Sequence, residues 1–264
     1  MRRIIVMLLA GLLFVQTFTT NTFAATFSYE NKKIYIMGDS LMDCGSINDG
    51  QNVETILESK GAEVVANASQ FGDVVGNVPY SEAYYRKKNF YNQFQEIKNA
   101  IPENGYDENT MVFLDGGTND LVQYYIENQL GPYDYFDETL WENNGSDRDL
   151  ETSIRGILEG VISSVGNDDP KQGYQVPIIF LAPSALQEDR LLRYGGKEYA
   201  DYMAKSLSRE KQIVSQYAKY GVIAVDPREA QMTSGDYVDA IHYNMKGYVK
   251  IFDLIDEKLI CERK

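Results

Sequence analysis

Residues 34–43 read IYIMGDSLMD, a short apolar run that ends in a Gly-Asp-Ser turn. Such a run, bounded by a turn, predicts a buried β-strand. The turn would place Ser40 at the carboxyl end of that strand, which is the edge where open α/β sheets bind their ligands. Taken alone, the stretch also fits an ordinary strand followed by a helix, with Asp39 or Ser40 as the N-cap.

Four further apolar runs, separated by helical stretches, extend this interpretation to the rest of the chain. The predicted strands are Lys33–Met37, Ala62–Ala66, Thr110–Leu114, Val176–Ala182 and Gly221–Val225. The predicted helices are Ser81–Ala100, Glu151–Val165, Lys197–Tyr220 and Met245–Leu259. Strands that alternate with helices indicate βαβ units with right-handed crossovers. We therefore expect an α/β fold with a parallel sheet and helices on both faces, in a single domain over residues 25–264.

A second strand also runs into a glycine-rich turn with a short polar side chain. Residues 111–120 read MVFLDGGTND. The amide of Asn119 could donate a hydrogen bond to an oxyanion that develops during a reaction. The plainer interpretation is a turn in which Asn119 and Asp120 cap the next helix.

The only histidine of the chain, His242, closes the run Asp239-Ala240-Ile241-His242. A serine hydrolase needs one imidazole as general base and one carboxylate that fixes its tautomer. The three-residue spacing lets one loop bring both groups toward Ser40, if that loop turns back on itself. By itself, His242 fits a hydrogen-bonded core residue better. The three segments in this order are a much rarer coincidence.

Together these segments resemble the GDSL hydrolases, also called the SGNH hydrolase superfamily. The matching blocks are Gly38-Asp39-Ser40-Leu41, Gly117-Thr118-Asn119-Asp120 and Asp239-Ala240-Ile241-His242, and the continuation Tyr243-Asn244 through Gly247-Tyr248 is similar as well. The resemblance extends from Gly38 to Tyr248. It implies a flavodoxin-like, three-layer α/β/α fold with a five-stranded parallel sheet.

The resemblance also implies a role for individual residues. Ser40 would be the nucleophile, His242 the general base, and Asp239 the carboxylate that orients the imidazole. The oxyanion hole would consist of the N–H groups of Ser40 and Gly72 and the amide of Asn119. The spacing to Gly72 departs slightly from the family pattern, so Gly76 is the alternative.

This chemistry needs no cofactor and no metal ion. A single histidine excludes a histidine-rich zinc site. Four aspartates near the two turns are interpreted as turn-forming and capping residues rather than metal ligands: Asp39, Asp43, Asp115 and Asp120.

Three functions fit these residues. The first is a secreted esterase that cleaves carboxylic esters of lipids or acetylated carbohydrates. The second is an acyltransferase on the same triad, with a sugar or lipid alcohol in place of water. The third is a binding module that has kept the fold without activity. The complete set of polar groups argues against the third.

The first 24 residues are typical of a signal peptide. Arg2 and Arg3 precede an apolar run over 4–18, and a small-residue site predicts cleavage after Ala24. The run is too short for a confident membrane span. We therefore expect a secreted or periplasmic protein without a stable membrane anchor. The net charge of −14 becomes more negative by two without the leader, and such a surface repels nucleic acid.

Two features leave alternatives open. An exported chain allows a disulfide between Cys44 and Cys261, although the sequence does not show whether they meet. Residues 121–149 are rich in aromatic side chains and follow the asparagine block directly. They fit a lid or acceptor wall over the site, and equally a helix and loop packed on the core.

Overall fold

The structure is a computed structural model that describes residues 27–43, 45, 48–70, 73, 90–119, 121, 150–183, 188–239 and 241–262. Within these residues, five strands form one parallel sheet: β1 (Lys33–Met37), β2 (Glu63–Asn67), β3 (Thr110–Asp115), β4 (Ile178–Leu181) and β5 (Val222–Val225). The strand order is β2-β1-β3-β4-β5, the flavodoxin-like order. The predicted α/β fold with a five-stranded parallel sheet is confirmed.

The described residues also form five α-helices: α1 (Val53–Ser59), α2 (Phe90–Asn104), α3 (Leu150–Ser164), α4 (Glu188–Ser215) and α5 (Met245–Glu262). Helix α1 was not predicted, because seven residues are too few to reveal a helical period. Its start is fixed by a capping box between Asn52 and Thr55. In the part of the chain that the structure describes, no helix is both long and apolar enough to span a membrane.

Helices cover both faces of the sheet and enclose two apolar cores. One core lies against α2, α3 and α4, and the other lies against α1 and α5. Strand β3 contributes to both, because successive side chains of a strand point to opposite faces. Val112 and Leu114 belong to the first core, and Met111 and Phe113 to the second. A strand buried in this way has a continuous apolar sequence, which explains why β3 could be found from sequence.

The strand order reverses between β1 and β3, which are neighbours in the sheet. From β1 the chain continues outward to β2, whereas from β3 it continues to β4 on the other side. The connections therefore diverge and leave a crevice at the carboxyl ends of β1 and β3. Ser40 follows β1 and Asn119 follows β3, so the fold brings both to this crevice.

Candidate active site

A compact turn over residues 38–43 carries Ser40 at the end of β1. The Asp39 carbonyl accepts a hydrogen bond from Met42 N at 3.1 Å. The Asp39 carboxylate accepts a second one from Leu41 N at 2.9 Å. Ser40 is only 3% exposed, so its hydroxyl is held at the base of the crevice rather than in bulk solvent.

Gly38 has no side chain because Asp115 occupies the space that one would need. A Cβ built on Gly38 would lie 2.2 Å from Asp115 Oδ1 and 2.5 Å from Met42 Cγ, far below any normal contact distance. The same Oδ1 accepts a hydrogen bond from Asp39 N at 2.7 Å. Asp115 therefore braces the neighbouring serine turn, whereas the sequence suggested a turn or capping residue.

Asp39 and Asp115 form a fully buried carboxyl pair. Burial raises the pKa of both groups. For Asp115, the nearby charge of Asp39 raises the pKa further, and buried Glu210 acts in the same direction. The N–H groups that donate to Asp39, first among them that of Leu41, oppose the rise in the pKa of Asp39. The arrangement therefore favours an ionised Asp39 beside a protonated Asp115.

The aspartate and the histidine lie on one narrow loop over residues 236–244. Tyr237 and Tyr243 form an antiparallel bridge across it. Inside that bridge, Val238 N donates to the carbonyl of His242 at 2.9 Å. The loop thus turns back on itself, as the three-residue spacing between aspartate and histidine required.

His242 connects Ser40 to Asp239 through two hydrogen bonds. Its Nε2 lies 2.8 Å from Ser40 Oγ, across 202 positions of sequence, and its Nδ1 lies 2.7 Å from Asp239 Oδ2. An ionised carboxylate only accepts hydrogen bonds, so Nδ1 carries a proton. In the neutral imidazole, Nε2 is then free to accept the serine proton. The structure brings the three predicted residues together, and their catalytic roles remain a prediction.

Asp239 keeps its negative charge into acidic solution. Partial burial by itself would raise its pKa, but the N–H groups of His242 and Ile241, together with the imidazole, hold the pKa below the usual value. Both N–H groups donate to Asp239 Oδ1 at 2.8 Å. The side chain of Asp239 is 48% exposed, whereas that of His242 is 10% exposed. A charged carboxylate thus remains in place to stabilise an imidazolium.

The first turn of α5 holds this loop against the serine turn. Tyr248 is fully buried, and its hydroxyl donates to the carbonyl of Leu41 at 2.7 Å. Asn244 caps α5 by accepting the N–H of Gly247 at 3.2 Å. A Cβ on Gly247 would lie 2.3 Å from the carbonyl oxygen of Asp236, so only glycine allows the start of α5 to pack this closely against the loop. The stretch after the histidine therefore has a structural role in the site.

The side-chain amide of Asn119 lies at the edge of the crevice. Its Nδ2 donates to the carbonyl of Asp73 at 2.8 Å and lies 3.4 Å from Asp39 Oδ2. An amide nitrogen has two hydrogens. The first bond fixes the amide plane, and the second hydrogen, which makes only the long contact to Asp39, can donate to an oxyanion that lies in this plane. The two candidate glycines of the oxyanion hole, Gly72 and Gly76, lie outside the described residues.

Gln93 also contacts the serine turn, and sequence reasoning did not find it. It is 4% exposed and lies on α2. Its Oε1 accepts a hydrogen bond from Gly38 N at 2.7 Å, and its Nε2 donates to Gly38 O at 2.9 Å and to the carboxylate of Asp73. The available signal was a glutamine in the apolar stripe of a helix formed by Phe90, Phe94, Ile97 and Ile101. This signal can be used only when it is known which face of the helix is buried.

Several other predictions concern residues that lie outside the described ranges, wholly or in part. Asp120, Cys44, most of the aromatic stretch over 121–149 and the leader lie outside the described residues, and Cys261 is an exposed free thiol. Within the described ranges, no group of three or more His, Cys, Asp or Glu side chains is arranged to hold a metal ion. The absence of a cofactor remains an expectation.

A comparison with models of known protein families identifies the family of this chain. The family model described as GDSL-like Lipase/Acylhydrolase matches residues 34–255. The chain belongs to this family. As a GDSL-like lipase/acylhydrolase, it is a carboxylic ester hydrolase. No curated protein matches the chain significantly.

Solved structures share the fold at low sequence identity. A lipolytic G-D-S-L family protein from Veillonella parvula is 14% identical, with a TM-score of 0.53 over 86% of this chain and 97% of that one. A putative GDSL-like lipase from Parabacteroides merdae is 12% identical, with a TM-score of 0.53 over 88% and 97%. An aryl esterase from M. smegmatis is 14% identical, with a TM-score of 0.50 over 87% and 99%. These similarities establish the three-layer α/β/α architecture.

Proposed function

We propose that this GDSL-family hydrolase is an exported serine esterase for carboxylic esters with short or medium acyl chains, carried by a lipid or an acetylated carbohydrate. Ser40 is the nucleophile, His242 the general base and Asp239 the group that orients and stabilises the imidazole. The observation that carries the proposal is the hydrogen-bonded chain through His242, at 2.8 Å to Ser40 Oγ and 2.7 Å to Asp239 Oδ2.

In the acylation step, Ser40 Oγ bonds to the ester carbonyl carbon while its proton passes to His242 Nε2. The carbonyl π electrons move to the oxygen, and the resulting oxyanion is held by the N–H of Ser40, the amide of Asn119 and the N–H of Gly72. When the carbonyl re-forms, the bond to the alcohol oxygen breaks. The alcohol leaves with the proton from Nε2.

Deacylation repeats these steps with water as the nucleophile. Water bonds to the acyl carbon and gives its proton to His242, and the acid is released as Ser40 recovers its proton. Asp239 stays ionised throughout, in agreement with its lowered pKa. An alcohol in place of water would turn the same steps into acyl transfer, so an acceptor assay belongs to the test.

The preference for short or medium chains rests on surface composition. The chain is strongly acidic, with a net charge of −14. Among the described residues, the exposed large apolar side chains are Tyr106, Val238 and Val249, which belong to three separate segments. An enzyme that works at a lipid interface needs a larger continuous apolar surface.

Export is proposed from the leader sequence, with cleavage after Ala24. Phe27 and Tyr29 are buried in the core, and the Tyr29 hydroxyl donates to Asp256 at 2.7 Å. Cleavage after Ala24 leaves these contacts intact. N-terminal sequencing of protein from the culture medium or periplasm should begin at Ala25. A start elsewhere, or protein only in the cytoplasm, contradicts the proposal.

The central test is Ser40→Ala, with Ser208→Ala as a matched control on the exposed surface of α4. Hydrolysis of p-nitrophenyl butyrate should fall by at least about a thousandfold in Ser40→Ala, because loss of a triad member removes most of the catalysis. The control should keep wild-type rates. A fluorophosphonate probe should label the wild type on one serine and leave Ser40→Ala unlabelled.

Two outcomes decide against the proposal. A folded Ser40→Ala variant that keeps more than about a tenth of wild-type turnover rules out Ser40 as nucleophile. Faster acyl transfer to added glycerol than to water, measured by the ester product, would assign the acyltransferase instead.

A further inference from the structure

We propose that Gln93 is a positioning residue of the oxyanion hole, which aligns the N–H of Ser40 and the amide of Asn119 before substrate binds. The inference rests on the proposed function, because it assigns a task within that reaction. It starts from the three hydrogen bonds of the Gln93 side chain, all of them inside the protein.

The hydrogen bonds of Gln93 allow only one orientation of its amide. Gly38 N is a donor, so the atom 2.7 Å from it must be the oxygen of Gln93. The nitrogen then faces Gly38 O at 2.9 Å and the carboxylate of Asp73, and both of its hydrogens are used. Gln93 therefore forms hydrogen bonds with both the N–H and the carbonyl of Gly38, where the serine turn starts. Two residues further on, the N–H of Ser40 takes its direction from this turn.

The third hydrogen bond of Gln93 reaches the other half of the oxyanion hole. The carboxylate of Asp73 accepts from Gln93, and the carbonyl of the same residue accepts the amide of Asn119 at 2.8 Å. Asp73 is 2% exposed and follows Gly72, the predicted third donor. One glutamine thus connects the serine turn with the residue that holds the amide of Asn119.

Two further main-chain hydrogen bonds belong to this network. Gln70 N donates to Gly38 O at 3.0 Å, and Asp73 N donates to Gln70 O at 3.2 Å. Gly38 O thus accepts from both Gln70 N and the Gln93 amide. The segment after β2 and the serine turn are therefore fixed to each other by backbone and side chain together.

A role in packing alone does not account for a glutamine here. Gln93 shares the apolar stripe of α2 with Phe90, Phe94 and Ile97, where leucine or methionine would fill the space. A buried amide has value only when its hydrogen bonds are satisfied, since each lost bond leaves a costly unpaired group. Gln93 satisfies three of them, two with Gly38 of the serine turn and one with the carboxylate of Asp73. If these bonds hold the N–H of Ser40 and the amide of Asn119 in place, both donors act at the transition state without reorganisation.

The test uses Gln93→Met, which keeps the length of the side chain without its hydrogen bonds, and Gln95→Met as the control on the same helix. Loss of a whole oxyanion donor costs about a hundred- to a thousandfold in kcat. We expect Gln93→Met to lose about ten- to a hundredfold in kcat, with KM within about twofold. Gln95→Met should behave as wild type.

A double-variant cycle with Asn119→Ala separates positioning from a general loss of stability. If Gln93 acts through the donors, Gln93→Met should reduce kcat by a factor at least about threefold smaller in the Asn119→Ala background, because only the part that acts through the N–H of Ser40 remains there. An effect as large as in the wild-type background overturns the proposal, as does a Gln93→Met variant that keeps kcat within twofold or changes only KM. If Gln93→Met does not fold, Gln93→Leu, which fills a similar volume and also loses all three hydrogen bonds, is judged by the same criteria. An active Ser40→Ala refutes the proposed function itself, whereas an inactive Ser40→Ala beside a fully active Gln93→Met refutes only this inference.

Discussion

Asp236 supports the loop that carries His242, and acid should remove that support. Its carboxylate accepts hydrogen bonds from Lys250 Nζ at 2.7 Å and from the hydroxyl and N–H of Thr233 at 2.7 and 2.6 Å. Its carbonyl accepts the N–H of Asn244 at 3.0 Å, on the far side of the loop. The Lys250 ammonium, helped by Thr233, lowers the pKa of Asp236 to about 2.

The size of the effect follows from this pKa. A carboxylate whose pKa is lower in the folded state stabilises the fold above its unfolded pKa, and the stabilisation disappears as the pH falls toward the folded pKa. A fall in pKa from 3.8 to about 2, at about 1.4 kcal/mol per unit, corresponds to about 2 kcal/mol. The side chain of Asp236 is only 6% exposed, but that of Lys250 is 36% exposed, so solvent screens part of the interaction and about 2 kcal/mol is an upper value. The contribution should be complete above about pH 5 and nearly absent at pH 2.

Asp236→Asn removes the titrating group, so its stability relative to wild type should depend on pH. Urea unfolding followed by circular dichroism at pH 6 and pH 2.5 measures both free energies of unfolding. The gap between wild type and variant should shrink by more than about 1 kcal/mol between these pH values. Asp253→Asn, an exposed change on α5, is the control. A gap for Asp236→Asn that stays constant within about 0.5 kcal/mol would refute the reasoning, whatever the size of the gap.

Three further outcomes are expected. Because the folded state holds a proton on Asp115 that the unfolded chain releases above about pH 4, Asp115→Asn should gain stability relative to wild type as pH rises from 4 to 8. Urea unfolding at both values checks the sign, and a relative loss contradicts it. The acid limb of kcat/KM should coincide with the NMR titration of the single imidazole, His242, since this base must be neutral to accept the serine proton. A difference of well over a unit would exclude it as general base. In a series of p-nitrophenyl esters at equal solubility, acetate and butyrate should react faster than palmitate, and the reverse order would favour an interfacial lipase.

Most of the sheet was predictable because four of its strands, β1, β3, β4 and β5, are buried on both faces, whereas β2 is only partly buried. Strand β1 has the predicted bounds, and β3 differs from the prediction only by the inclusion of Asp115. The helices were harder to delimit. Helix α4 starts nine residues before the predicted Lys197, and the pair Gly195-Gly196 lies inside it. Glycine lowers helix propensity by about 1 kcal/mol, and the helix continues through both glycines despite that cost.

Some residues of the site can be recognised from a local sequence motif, whereas others act on partners that are far away in the sequence. Ser40 and His242 stand out in short contiguous blocks, so they could be found without a structure. Gln93 and Asp115 act on Gly38 and Asp39 across 55 and 76 positions. Nothing local in the sequence marks those contacts, because they arise only when α2 and β3 pack beside β1.

The close approach of Gly38 and Asp115 also limits how this site can change during evolution. A Cβ at position 38 and a carboxyl at position 115 need the same volume, because they would be 2.2 Å apart. The two positions therefore vary as one unit rather than independently. A relative with alanine at position 38 should carry a smaller residue than aspartate at position 115, and a smaller or displaced side chain at position 42, because Met42 Cγ would lie 2.5 Å from the same Cβ. The change at 115 must come first, since alanine at 38 beside aspartate would displace the serine turn.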